Sequence, residues 1–249
     1  MSTEDQIRQY DGNAGQWASV VKGEKEHLAL EIANLFALYP VKNGSPTSVD
    51  FGAKDGVMAM MAVEQIERQT GYFLRPALYD ISEKSLEEAR KNFGDRGILI
   101  TSDYNALPKN NDLVLATHVA QAFETEKSLR EDYFRANFNL LAPGGRFIST
   151  GNHPLTLTEL HSTYQCRFPY GAERDGEKIK TKLYSVDAEE PFLTVDDYYW
   201  SLSTLQRAAE AAGFVLTGQT NIPDIKVPFK RGYSPAYVAL VFVKPEADI

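Results

Sequence analysis

The sequence predicts an α/β fold, a doubly wound and mainly parallel sheet of seven strands ending in an antiparallel hairpin, with an N-terminal helical lid and an inserted cap. Three observations carry this expectation. Five short apolar runs are interleaved with helix-like stretches between residues 47 and 150. Glycine and proline punctuate the boundaries. The last two strands follow one another with no helix between them, a connection that makes an antiparallel pair.

Residues 5–39 read as helical, with Leu28, Ile32, Leu35 and Phe36 on one face and Pro40 ending the run. After the turn Asn43-Gly44-Ser45-Pro46, Thr47–Phe51 is a short strand leading into Gly52. A helix follows over Gly56–Thr70, with Val57, Met60, Met61 and Val63 toward the sheet and Gly71 closing its C-terminus. Next come a strand ending at Asp80, a helix over Glu83–Asn92 capped by Ser82, and a strand at Ile98–Thr101. Asp112–Thr117, with Leu113-Val114-Leu115 at its centre, reads as a fully buried parallel strand. A helix over Glu126–Leu141 stops at Pro143-Gly144-Gly145 and leads into the strand Arg146–Thr150.

Residues 152–196 break the rhythm. They are polar, rich in Tyr, Lys and Glu, and interrupted by Gly171, Gly176 and Pro191, which marks them as a cap. A helix over Asp197–Ala212, a stop at Gly213, and strands at Phe214–Thr220 and Ala236–Val243 complete the chain. The organisation predicted is a lid over residues 1–42 and a main domain over 43–249 that carries the cap. Open sheets of this kind bind ligands at the carboxyl ends of their strands, so functional residues are sought just after each strand.

With 249 residues, 43% of them hydrophobic, the chain can bury a full core. Its opening Met1-Ser2-Thr3-Glu4-Asp5-Gln6 lacks the basic and apolar regions of a signal peptide, and no apolar run reaches membrane-spanning length, so a cytoplasmic protein is expected. The single cysteine, Cys166, supports neither an internal disulfide nor a CxxC metal site, and no tight cluster of carboxylates and histidines follows the fourth strand; no metal is expected. A net charge of −8 spread along the chain argues against a nucleic-acid partner, which needs a basic face, and fits a small-molecule acceptor. A monomer or homodimer without a membrane partner is expected.

The first chemical feature is Val49-Asp50-Phe51-Gly52-Ala53-Lys54-Asp55-Gly56, a strand, a glycine-bearing turn and a helix start. Glycine there lets the backbone turn sharply and approach a ligand, and the helix N-terminus favours polar or anionic groups. Asp80 follows the second strand, a little over twenty residues past Gly56, where a carboxylate accepts both ribose hydroxyls of an adenosine cofactor. Asp103 follows the third strand, with Tyr104 beside it to lie against an adenine face. Singly, Gly52 and Gly56 make an ordinary tight turn and Asp80 a helix-entry residue; the ordered set points to a cofactor. The dinucleotide fingerprint GxGxxG requires glycine where Lys54 and Val57 stand, which disfavours a pyrophosphate and hence NAD. S-adenosylmethionine has no phosphate and asks for exposed backbone groups plus a carboxylate, such as Asp50, for its ammonium.

These segments resemble the class I, Rossmann-like S-adenosylmethionine-dependent methyltransferases over almost the whole chain. Asp50–Gly56 is similar to that family's DxGxGxG loop, with Lys54 in place of the middle glycine. Leu78-Tyr79-Asp80-Ile81-Ser82 is similar to its acidic ribose-binding segment, and Thr101–Pro108 to the segment that reads the adenine edge. Asp112–His118 and Leu141–Arg146 are similar to its fourth and fifth strand signatures. A narrower likeness, to small-molecule methyltransferases of the toxoflavin N-methyltransferase type, lies in Tyr10–Trp17, Tyr170–Glu173, Tyr198–Ser201 and Ala211–Phe214. The resemblance implies S-adenosylmethionine as cofactor, held by Asp50, Gly52, Ala53, Gly56, Asp80, Ile81, Asp103 and Tyr104. It also implies methyl transfer to a nitrogen or oxygen of a compact acceptor such as an N-heteroaromatic natural product.

Methyl transfer from a sulfonium is an in-line displacement, accelerated by alignment and exclusion of water, and a base is optional. His118, just past the fourth strand at the methyl end of the cleft, is the first candidate to touch cofactor and acceptor and to take a proton. His153, after the fifth strand, is the second, with a possible substrate contact; either is also readable as a structural histidine. Tyr198, Tyr199 and Trp200 are read as an acceptor wall or as core, Tyr10 and Trp17 as residues closing over substrate and cofactor or as packing. His27 and His161 read as surface or helix residues. Two rival functions stay open, a nucleotide-dependent oxidoreductase and a non-catalytic adenosylmethionine-binding protein, the latter favoured by Lys54.

Overall fold

A computed structural model describes residues 4, 7–9, 11–12, 22–38, 46–156, 161, 164–167, 174–184, 190–224 and 235–246. Tyr10, Trp17, Pro40 and Tyr170–Glu173 lie outside the described residues. Ten strands are described: β1 (Thr47–Phe51), β2 (Arg75–Tyr79), β3 (Ile100–Thr101), β4 (Asn111–Thr117), β5 (Leu141–Asn152), β6 (Tyr164–Arg167), β7 (Lys178–Leu183), β8 (Leu193–Tyr198), β9 (Val215–Ile222) and β10 (Tyr237–Val243).

Seven of them form one sheet in the order β3-β2-β1-β4-β5-β10-β9. Pairing is parallel from β3 through β5, and β10 runs antiparallel to both β5 and β9. The expected hairpin is present, but its second strand takes the inner place. Burial explains this: six of the seven β10 residues are buried, whereas β9 alternates exposed and half-buried residues until Ile222, as an edge strand does. The order reverses between β1 and β4, which puts the switch-point crevice at their carboxyl ends.

Among the described residues, five helical elements cover the sheet: α1 (Lys22–Ala37), α2 (Val57–Thr70), α3 (Glu83–Phe93), the α4 segment over residues 126–140, and α5 (Leu202–Ala211). On one face α1 packs on α2 through Leu28, Ile32, Phe36, Val63 and Ile66. On the other, Leu129, Tyr133 and Phe134 of α4 meet Leu205 and Ala208 of α5 above Phe147 and Phe242. The α4 segment passes through a π-helical stretch, Leu129–Arg135, that turns all three of its large apolar residues inward. The predicted caps are present. Ser82 Oγ accepts from Ser85 N at 3.1 Å, and Gly71 adopts the left-handed conformation (φ 74°) past α2.

Two boundaries differ from expectation. The helix expected from Asp197 begins only at Leu202, after the cap residue Ser201, because Leu193 and Val195 alternate with more exposed neighbours and extend the chain into β8. Strand β5 begins at Leu141, five residues early, and runs through the glycine pair: a Cβ on Gly145 would stand 2.7 Å from Asn111 O. The region read as a cap contains the antiparallel sheet β6-β7-β8.

Candidate functional site

The loop after β1 closes on the end of β2. Gly52 N–H and Ala53 N–H both donate to Tyr79 O at 2.8 Å, and Lys54 N–H donates to Asp80 Oδ2 at 2.9 Å. Lys54 sits at φ +54°, in the left-handed region that a glycine enters freely, so the loop keeps a glycine-like backbone with a lysine in it. Its N–H and that of Ser82, also 2.9 Å away, each hold one oxygen of the buried Asp80 carboxylate. Every carboxylate oxygen keeps a second lone pair, so Asp80 can still accept from a pair of hydroxyls.

Gly52 and Gly56 serve different ends. Gly52 lines the crevice at φ +85°, and a Cβ there would stand 2.5 Å from Val119 Cγ2. Gly56, at φ +73°, is packed against Leu78 and Phe93, so its lack of a side chain lets α2 approach β2 and α3. Gly52→Ala is expected to cost about 2–3 kcal/mol, part steric and part conformational. Adding Val119→Ala should restore the steric part only, which a double-mutant cycle by urea unfolding checks; strict additivity would mean that the two residues do not meet.

Among the described residues, two large cavities open at the strand ends. The cavity beside Asp80, about 1220 Å³, is lined by Tyr79, Asp80, Ile81, Val119 and Phe123. The cap-side cavity, about 970 Å³, lies among Glu24 and Leu28 of α1, Asp50, Ala53, Gln121, and Thr181, Val195 and Asp197 of the cap sheet. Gly52, Lys54 and His118 line both and form their common rim. His118 holds a left-handed backbone (φ 56°) with its N–H on Thr150 O at 2.8 Å, and its Nε2 lies 3.6 Å from Glu24 Oε1. The N-terminal segment reaches both sides. Asp11 Oδ1 accepts from Ser82 Oγ at 2.7 Å beside the cavity that Asp80 lines, and Gln9 bonds both the N–H and the carbonyl of Asp196 in β8, at 3.1 and 3.2 Å.

The rim is crowded with carboxylates that are costly to ionise. Burial, and then the charge of Asp80, push Asp50 up from its ordinary 3.8 to about 7. Burial also raises Asp80 and Asp197 and lowers the Lys54 ammonium. The folded chain therefore keeps a proton on Asp50 that the unfolded chain loses near pH 4, and stability falls as pH rises between about 4 and 7. Asp50→Asn is expected to raise stability by on the order of 2 kcal/mol at pH 8 and to leave it nearly unchanged at pH 4, read as thermal midpoints. Equal effects at both pH values would remove burial as the cause.

Several expected site residues lie elsewhere. His153 lines neither large cavity: its Nδ1 accepts from Leu155 N–H at 3.3 Å, its Nε2 faces Asn221 Oδ1 at 3.2 Å, and burial lowers its pKa. Both ring nitrogens are used structurally, so the catalytic and substrate roles expected of it are withdrawn. Tyr199 and Trp200 are buried, and Trp200 Nε1 donates to Phe123 O at 3.0 Å; with Tyr198 they line a smaller third cavity that shares Gln121 and Asn152 with the cap-side one. Their hydrophobic area draws them under the turn after β4, where Ala120 and Gln121 line the same smaller cavity. Tyr104 turns its ring edge to Tyr79 and its hydroxyl to Ala136 O, while exposed Asp103 caps its own turn through Asn105 N–H; neither lines a cavity. Sequence reasoning missed Glu24, Gln121 and Asp197 as lining residues. The one available signal was the four-residue spacing of Glu24 and Leu28, which places them on one helix face.

No family model and no curated protein sequence matches the chain. Solved structures do share its fold. An S-adenosylmethionine-dependent methyltransferase from Clostridium acetobutylicum aligns at 14% identity over 90% of this chain and 93% of that one, with a TM-score of 0.60. A glycopeptide N-methyltransferase complexed with S-adenosylmethionine aligns at 18% identity over 87% of each chain, with a TM-score of 0.58. The 1,6-didemethyltoxoflavin N1-methyltransferase of Burkholderia thailandensis, with its acceptor and S-adenosylhomocysteine bound, aligns at 15% identity over 98% of this chain and 87% of that one, with a TM-score of 0.58. The fold is thus the Rossmann-like one of these methyltransferases.

Proposed function

We propose that the chain is an S-adenosylmethionine-dependent methyltransferase acting on a nitrogen or oxygen of a compact small molecule. The observation that carries this reading is the common rim of Gly52, Lys54 and His118. It joins a cavity bearing a ribose-type carboxylate, Asp80, to a second cavity walled by the cap sheet. A cofactor bridging the rim would lie with its nucleoside in the first space and its reactive end toward the second.

The residues present suit that cofactor. Asp80, held by two backbone N–H groups, has acceptor capacity left for the ribose hydroxyls. Asp50 sits among buried carboxylates that an ammonium or sulfonium would relieve. When bound, S-adenosylmethionine supplies an electrophilic methyl on a positive sulfur. The protein holds and aligns both partners, and the cap sheet with the N-terminal segment keeps water from the reacting atoms. A compact N-heteroaromatic acceptor is supported by the flat apolar surface of Tyr164 and Phe192 in the cap-side cavity and by the toxoflavin-type neighbour.

Lys54 favours a second reading, a binding protein that does not catalyse. Its left-handed backbone, which keeps the loop in a glycine-like shape, argues for a working loop. Calorimetric titration with S-adenosylhomocysteine and with NAD tests the cofactor: binding of the former alone is expected, and tight binding of NAD alone would overturn the reading.

A further inference from the structure

Two buried polar atoms on the cap-side cavity have no hydrogen-bond partner among the described residues, Nε2 of His118 and Oε1 of Gln121. They sit three residues apart at the short turn Ala120–Ala122 that follows β4. The groups facing His118 come from four elements: Glu24 on α1, its Oε1 3.6 Å away and beyond hydrogen-bond reach; Asp197 on β8; Lys54 on the loop; and the edge of the Tyr237 ring on β10. Gln121 Oε1 and an Nε2 whose hydrogen sits on Nδ1 are both acceptors. A ligand that brings donors would satisfy the two of them. Tyr164 and Phe192 supply flat apolar surface in the same cavity.

Building on the methyl-transfer reading, we propose that the acceptor is a ring compound bearing a hydroxyl or N–H, that His118 takes its proton, that Gln121 orients it, and that Glu24 positions the imidazole. In the step, the heteroatom's electron pair forms the bond to the methyl carbon. The carbon–sulfur bond breaks with its pair passing to sulfur, and the acceptor's proton passes to Nε2 of His118. The products are the methylated acceptor, S-adenosylhomocysteine and an imidazolium facing the Glu24 carboxylate. His118 is thereby a catalytic residue and Glu24 a positioning one.

The test uses the full chain and a series of ring-substituted hydroxyquinolines and benzimidazoles of graded acidity, with substituted pyridines and tertiary aromatic amines as acceptors that have no proton to lose. Turnover is read as S-adenosylhomocysteine released, and calorimetry with S-adenosylhomocysteine is run on every variant. The wild type is expected to methylate members of the first group. His118→Gln should lower kcat about 100-fold or more on weakly acidic members and far less on those already ionised at the assay pH. Glu24→Gln should give the same acidity-dependent pattern with KM little changed, and Glu24→Asp should recover part of the rate. Losses equal across the series would overturn the proposal. So would turnover confined to the second group, or none at all by protein that binds S-adenosylhomocysteine. Failure to bind S-adenosylhomocysteine would overturn the cofactor reading first, and this proposal with it.

Discussion

Asp80→Ala is expected to weaken S-adenosylhomocysteine binding at least about 100-fold. A hydrogen bond to a charged acceptor contributes about 1.5–3 kcal/mol, and the account gives this carboxylate two from the ribose. Two such bonds make about 3–6 kcal/mol, or two to four decades at about 1.4 kcal/mol per decade. The substitution also frees the N–H groups of Lys54 and Ser82, which slackens the loop around the nucleoside. Asp80→Asn keeps the shape and one acceptor oxygen, so an intermediate loss is expected. Because burial raises the pKa of Asp80, its charge does not favour the folded state at neutral pH, and neither variant should unfold the chain. Calorimetry reads affinity and thermal unfolding reads the control; unchanged affinity would remove Asp80 from the site.

The second large effect belongs to the core beneath the cavities. Phe147→Ala is expected to cost about 3–5 kcal/mol. Phe147 is fully buried in β5, opposite Val114 of β4 and Phe242 of β10. Its ring lies 5.4 Å from that of Tyr133, 5.6 Å from Phe214 and 6.0 Å from Phe242, so the truncation empties the centre of an aromatic cluster. For a chain of this length each kcal/mol lowers the thermal midpoint by about 2–4 °C. Phe147→Leu, which refills much of the volume, should cost less than half as much. Urea unfolding measures both, and a loss below about 1 kcal/mol for the alanine variant would contradict the central placement of β5.

Most of the sheet is legible in the sequence because its signals are local. The turn at Gly52, the Ser82 cap and the Gly71 stop are each decided within a few residues, and the structure places them as read. Asp80 is legible for the same reason, as a carboxylate at the end of a buried strand. The order of β9 and β10 is not, since it depends on which strand buries both faces, a comparison across the whole sheet. The side chains around His118 escape for a related reason. Glu24, Gln121 and Asp197 reach His118 or its cavity from three separate elements, and apart from the spacing of Glu24 and Leu28 nothing in their own neighbourhoods marks them. His153 misleads in the opposite direction: its position after β5 fits a catalytic group, but Leu155 and Asn221 occupy its ring. Tyr199 and Trp200 show that aromatic side chains at a helix entry answer first to burial.

The most direct test is a crystal structure of the protein with S-adenosylhomocysteine. The account predicts the ribose on Asp80 and the sulfur at the rim of Gly52, Lys54 and His118, turned toward the cavity beneath the cap sheet. A nucleoside bound away from Asp80, or a sulfur turned away from the cap-side cavity, would contradict it.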